Sequence, residues 1–104
     1  MVTTESAKRI VKRLVDAVSA AGIPISRAYL FGSVISGRNH EYSDIDVALV
    51  SDKFTGISFD DRKALNPFVI QIDSSLELHP FTAADFSDDN PFANEIMRSG
   101  ILVC

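Results

Sequence analysis

Cysteine is almost missing from this chain. The single one, Cys104, is the last of 104 residues, so no internal disulfide framework staples the fold, and such sparing thiol use suits a reducing compartment. Long apolar runs are missing as well. None approaches the roughly 18 residues of a membrane span, and the N-terminal stretch has no signal-peptide h-region. The chain is therefore expected to work in the cytoplasm. Bases are few: ten lysines and arginines stand against fourteen acids, for a formal net charge of -4, which argues against broad binding to nucleic-acid phosphates. No histidine or cysteine cluster is visible. There is no internal repeat, low-complexity segment or interdomain linker, and the length fits a single domain over residues 1–104. That is too small for a catalytic domain plus a separate acceptor-binding domain, so a partner is expected to supply the rest.

What is present is concentrated between Tyr29 and Ser51. Tyr29, Leu30 and Phe31 read as a buried strand ending at Gly32, where the chain turns tightly. Small and polar residues follow from Gly32 to Ser43, with one helical turn from Ser33 to a stop at Gly37. A second strand then opens with acids. Its period of two sets Asp44, Asp46, Ala48 and Val50 on one face and Ile45, Val47 and Leu49 on the other. Paired carboxylates repel one another unless something positive sits between them, most simply a divalent cation.

The flanking elements can be read in order. Thr3 or Thr4 caps a helix whose apolar positions Ala7, Ile10, Val11, Leu14, Val18 and Ala21 recur at three and four, with Gly22 as its stop. Lys8, Arg9, Lys12 and Arg13 fall in this helix and read as a solvated face. Pro24 separates it from a strand over Arg27–Phe31. Ser58, with Asp60 and Asp61, starts another helix that carries Ala64 and Leu65 inward and is expected to break near Pro67. Asp73, Ser74 and Ser75 form a turn. Leu76–Phe81 alternates, with Leu76 and Leu78 toward the core and Glu77 and His79 on the other face. Asp73 is a rival acid better placed as a turn residue, and His79, on the face of Glu77, either touches the site or is a strand histidine without a special role, the commoner case. Thr82 and Asp85 mark a short turn. Asn90 and Pro91 start a helix to Gly100 that faces Phe92, Ile96 and Met97 inward, and Ile101 to Val103 add an edge strand. The order predicts an α/β or α+β fold, a mixed sheet of three to four strands backed by helices.

Asp44, Asp46 and Glu77 together would make an oxygen-rich site for a hard cation, and Mg²⁺ is favoured because no histidine or cysteine cluster competes for a softer metal. Gly32 permits close backbone approach, and the amides after it, with the Ser33 hydroxyl, suit an anion. Two cations on three carboxylates that bridge phosphate oxygens, activate a hydroxyl and stabilise departing pyrophosphate describe nucleotidyl transfer.

Gly32-Ser33, a second glycine at Gly37, and the run SDIDVAL from Ser43 resemble the signature of the polymerase-beta-type nucleotidyltransferase superfamily. The later LELHPF and DNPFANEI segments resemble its small free-standing minimal branch. The resemblance implies the small nucleotidyltransferase fold. It implies phosphate binding at Gly32, Ser33 and Ser43, two Mg²⁺ ions on Asp44 and Asp46, and a third acid, Glu77, that binds the catalytic metal and helps activate the acceptor hydroxyl. A nucleoside triphosphate is the implied substrate, with AMP transferred from ATP. One position departs from the pattern. Many relatives carry arginine or lysine before the second glycine, where this chain has Ser36; Arg38, just after Gly37, either takes over a triphosphate contact or is a solvated loop arginine, the commoner case. Members of the branch often pair with a helical HEPN protein and in some pairs act as the antitoxin. Two functions follow: adenylyl transfer to a hydroxyl of such a partner, or a binding module that neutralises the partner by masking it. Transfer to RNA or a small molecule is a third, weakened by acidity and size.

Overall fold

Thr3 caps the first helix, α1 (Thr4–Ala20): its hydroxyl accepts from the Ser6 amide, and the Ser6 hydroxyl accepts from the Thr3 amide in return. The computed structural model describes residues 3–36 and 44–104. Beyond α1 it contains β1 (Arg27–Phe31), α2 (Ser33–Ser36), β2 (Ile45–Val50), α3 (Ser58–Ile72), β3 (Leu76–Phe81), α4 (Pro91–Ser99) and β4 (Ile101–Leu102). The described strands form one mixed sheet in the order β3-β2-β1-β4. β1 runs antiparallel to β2 and β4, while β2 and β3 are parallel. The expected α+β sheet is thus observed, including the edge strand contributed by Ile101. No helix among the described residues is long and apolar enough to cross a membrane.

Alternation along the strands sorts their side chains onto two faces. Ala28, Leu30, Ile45, Val47, Leu49, Leu76 and Leu78 point to one side, where Ala7, Val11, Leu14 and Val18 of α1 and Leu65 of α3 cover them. This is the larger core. Arg9, Lys12 and Arg13 stay exposed on the far side of α1, and Lys8 pairs with Glu5 at 3.6 Å, a solvated basic face. On the opposite side of the sheet, Ala48, Val50 and Phe81 meet Phe86 and the α4 residues Ala93 and Ile96. α4 covers only part of this second face. Asp46, Glu77 and His79 lie on the remainder, partly open to solvent.

Three expectations fail on the helices. α3 does not stop at Pro67 but runs through it to Ile72. Proline removes the hydrogen bond to the Lys63 carbonyl, yet Lys63 and Pro67 both face solvent, where water satisfies that oxygen, while Leu65, Phe68, Val69 and Ile72 hold the inner face on the core. The same phase turns Ala64 outward, so only Leu65 is buried there. On α4, Phe92 is 45% exposed and the core place belongs to Ala93. The Asn90 cap on the Phe92 and Ala93 amides sets that phase.

The start of α3 is tied down by a buried acid. Ile57 at its N-cap supplies no side-chain acceptor. Asp61, only 5% exposed, reaches back instead and accepts from the Thr55 amide at 2.8 Å, the Thr55 hydroxyl at 3.0 Å and the Gly56 amide at 3.1 Å. Asp61→Ala would strand those donors, at a cost of about 2–3 kcal/mol. In a domain of this size the melting temperature should fall by about 10 °C or more; Asp60→Ala, on the exposed neighbour, should change it by under about 2 °C.

Candidate functional site

Register brings the acids together. Asp46 lies opposite Phe31 of β1 on one side and Glu77 of β3 on the other, and Ala48 lies opposite His79. Directly paired positions put Cβ atoms about 5 Å apart, so Asp46 and Glu77 stand as neighbours in one row. The next row is nearly empty at Ala48, a methyl group, and the larger His79 ring leans across the diagonal. Its Nε2 comes within 3.3 Å of Asp46 Oδ1. Among the described residues, Asp46, Glu77 and His79 each offer a ligand atom, and these atoms all lie within 4.8 Å of one another.

Gly32 backs this cluster. Its φ of +82° lies in the left-handed region, and a Cβ built on it would run into the Asp46 carboxylate, which occupies that space. The glycine is therefore required twice, for the turn after β1 and for the carboxylate that packs against it. Ser33 follows as the first residue of α2.

Asp44 stands just before β2, exposed, and with Glu77 lines a cleft of about 250 Å³ closed by Arg62, Leu65, Asn66 and Val69. It is not in the three-residue cluster. Of the expected acids, Asp46 and Glu77 are thus brought side by side, with Asp44 on the rim of the adjoining cleft. Gly37, Arg38 and Ser43 lie outside the described residues, as does the side chain of Ser36. Asp73 is a turn residue, as expected: its Oδ1 accepts from the Ser75 amide at 2.9 Å.

Two further residues join the acids: His79, by one of the two readings the sequence left open for it, and Arg62, which the sequence reading missed. His79 touches Asp46 rather than standing idle, and its ring packs against Phe31 and Phe92 with centroids 5.1 and 5.6 Å away. Arg62 of α3 pairs with Glu77 at 3.8 Å. It also lines a second cleft of about 230 Å³ with Ser58, His79, Phe81, Asp85, Asn90 and Phe92. The sequence carried a signal for His79, which is two residues from Glu77 on the same strand face. Arg62 gave none, because its place depends on how α3 crosses β3.

The donor set fits a divalent cation. Two carboxylates from adjacent strands converge with an imidazole nitrogen, and each acid already faces a basic group, as a fold must arrange when acids are held close. Gly32→Ala tests the packing on Asp46, with Gly22→Ala as control. Gly22 has the same kind of φ, +99°, but nothing within 4 Å of an added Cβ. Both should lose about 1–2 kcal/mol for the left-handed backbone. A divalent cation should raise the melting temperature of the unaltered protein and of Gly22→Ala, and Gly32→Ala should lose that rise.

With this geometry in hand, comparison with known proteins is informative. Residues 15–104 match the family described as polymerase beta, nucleotidyltransferase. Among solved structures, an inferred nucleotidyltransferase from Sulfolobus solfataricus superposes with a TM-score of 0.67 at 18% identity, over 92% of this chain and 78% of that one. A toxin-antitoxin crystallised with AMP-PNP superposes with a TM-score of 0.64 at 22% identity, over 93% of this chain and 72% of that one. At these identities the likeness is one of fold. A search of the curated proteins returns no match. The family match covers β1, the Gly32 turn, β2 and β3, the elements that carry the acids, and the chain belongs to the polymerase beta nucleotidyltransferase family.

Proposed function

We propose that this protein is a divalent-metal-dependent nucleotidyltransferase that moves a nucleoside monophosphate, AMP from ATP, onto a hydroxyl of a partner protein. The partner in this reading is a HEPN-type toxin and the chain its antitoxin. The observation that carries it is the in-register pair of Asp46 and Glu77 on the open face of the sheet, with Gly32 packed behind Asp46. The toxin-antitoxin neighbour with AMP-PNP agrees with the nucleotide and with a protein partner.

Asp46 and Glu77, with Asp44 at the rim, are the residues that would hold the cations, two Mg²⁺ in this reading. A bound divalent cation neutralises phosphate oxygens and makes a nearby hydroxyl easier to deprotonate. Gly32 and Ser33, at the turn into α2, sit where the backbone can approach phosphates closely. Ser43 and Arg38 are proposed to extend this grip. The acceptor oxygen attacks the α-phosphorus, the bond from that phosphorus to the β-phosphate oxygen breaks, and pyrophosphate leaves. Glu77, on the β3 side of Asp46, takes the acceptor's proton. Arg62 keeps the Glu77 carboxylate compensated until then.

A second reading has its own observation. Ile57, Phe59 and Ile70 are 58%, 75% and 71% exposed along α3 and its approach, an apolar surface suited to masking a partner without chemistry. Labelling separates the two. With α-labelled ATP and Mg²⁺, label should appear on the co-purified partner and vanish in Asp46→Asn and Asp44→Asn, whose melting temperatures should not fall, because removing mutual repulsion does not destabilise the metal-free protein. Glu77→Gln should lower turnover by about 100-fold or more while changing nucleotide affinity little. A tight complex without label from any of the four nucleoside triphosphates would instead establish the masking module.

A further inference from the structure

We propose that His79 is itself a ligand of the cation at this site, and that the site consequently ranks first-row transition-metal ions such as Mn²⁺ and Co²⁺ above Mg²⁺. The proposal rests on the nucleotidyltransferase reading and goes beyond its carboxylates. From the sequence, the preference for Mg²⁺ follows from the lack of any histidine cluster. The fold removes that premise by setting an imidazole nitrogen among the acids.

The separation of Nε2 from Asp46 Oδ1 is 3.3 Å. Hydrogen bonds from an N–H to an oxygen reach about 3.2 Å, so this contact is at the long limit for one. Metal bonds of about 2.0–2.3 Å in an octahedral shell place adjacent ligand atoms about 2.8–3.3 Å apart, and the 3.3 Å separation lies at the upper end of that edge. Glu77 completes the group, with its ligand atom inside the same 4.8 Å limit.

The ring is held in this pose from outside the site. Phe31 lies against it with planes inclined at 58°, and Phe92 meets it nearly edge-on at 81°. These contacts explain why Phe92 stays partly exposed at the mouth instead of entering the core. They also fix the ring so that little side-chain freedom remains to be lost when Nε2 binds an ion. Ala48, opposite His79 in register, leaves the room for the ring to lean toward Asp46.

Chemistry then sets the ranking. Mg²⁺ takes oxygen ligands and dehydrates reluctantly, so an imidazole adds little to its binding. For the first-row ions, affinity at mixed nitrogen and oxygen sites rises from Mn²⁺ through Co²⁺, and a nitrogen donor favours them.

The test uses the whole chain freed of metal and titrated with Mn²⁺, followed by electron paramagnetic resonance, with Mg²⁺ affinity measured by competition. Electron spin echo modulation of bound Mn²⁺ should carry a ¹⁴N imidazole signal. The chain has two histidines, so His40→Ala assigns the source: the signal should persist there and vanish in His79→Gln. His79→Gln should weaken Mn²⁺ by about tenfold or more and Mg²⁺ by less than about threefold. Mn²⁺ that binds, is lost in Asp46→Asn and carries no ¹⁴N signal in the unaltered protein would overturn this proposal while leaving the nucleotidyltransferase reading intact. A signal that vanishes in His40→Ala would do the same. Absence of Mn²⁺ binding altogether would overturn both. The unaltered protein and His40→Ala decide the ligand even where His79→Gln folds poorly.

Discussion

Two carboxylates in one row of a sheet repel each other, and this site depends on a strand that cannot move to relieve the repulsion. β2 is that strand. It is hydrogen-bonded on both sides, antiparallel to β1 and parallel to β3. Its core-facing residues Ile45, Val47 and Leu49 are fully buried beneath α1 and α3. Each such side chain stabilises the fold by about 1.5–3 kcal/mol, and a slip of one residue would move all of them to the half-covered face and bury the acids. The apolar face therefore holds the polar face in place.

A basic side chain stands beside each acid. Arg62 stands beside Glu77, and His79 stands beside Asp46. These partners come from different elements, α3 and β3, and neither is inserted between the two carboxylates. The space over Asp46 and Glu77 stays open on one side because α4 covers only the far part of that face. Ala93 and Ile96 seal it there, and Phe92 stops at the mouth.

Most of this organisation was legible along the chain, since it rests on period and punctuation. Strand alternation identified the faces of Asp46, Glu77 and His79. Thr3, Asn90, Pro91 and Gly100 marked helix ends through chemistry that is local to a few residues. What was not legible involves neighbours distant in sequence. Pro67 looked like a break because its cost is local, whereas the inward stripe through Leu65, Phe68, Val69 and Ile72 that keeps α3 continuous acquires its value only when the sheet is beneath it. Asp61 looked like one of two first-turn acids. Its burial follows from the loop at Thr55 and Gly56 folding back over it. Arg62 becomes visible only once α3 is laid along β3.

Gly32 shows how local and distant requirements meet at one residue. Its positive φ is a demand of the turn after β1, and the sequence alone suggests a glycine there for that reason. The carboxylate lying against it is a separate demand, created by the pairing of Phe31 with Asp46. Any residue able to tolerate the backbone, such as asparagine, would meet the first and fail the second. The same pairing puts Phe31 beside Asp46, where its ring supports His79. One antiparallel register thus sets the clearance behind Asp46 and the apolar wall beside it. The parallel register with β3 supplies Glu77 and His79 together, because they are two residues apart on one face. A site assembled this way is as rigid as the sheet pairings that define it, with polar atoms of Asp46, Glu77 and His79 within 4.8 Å of one another.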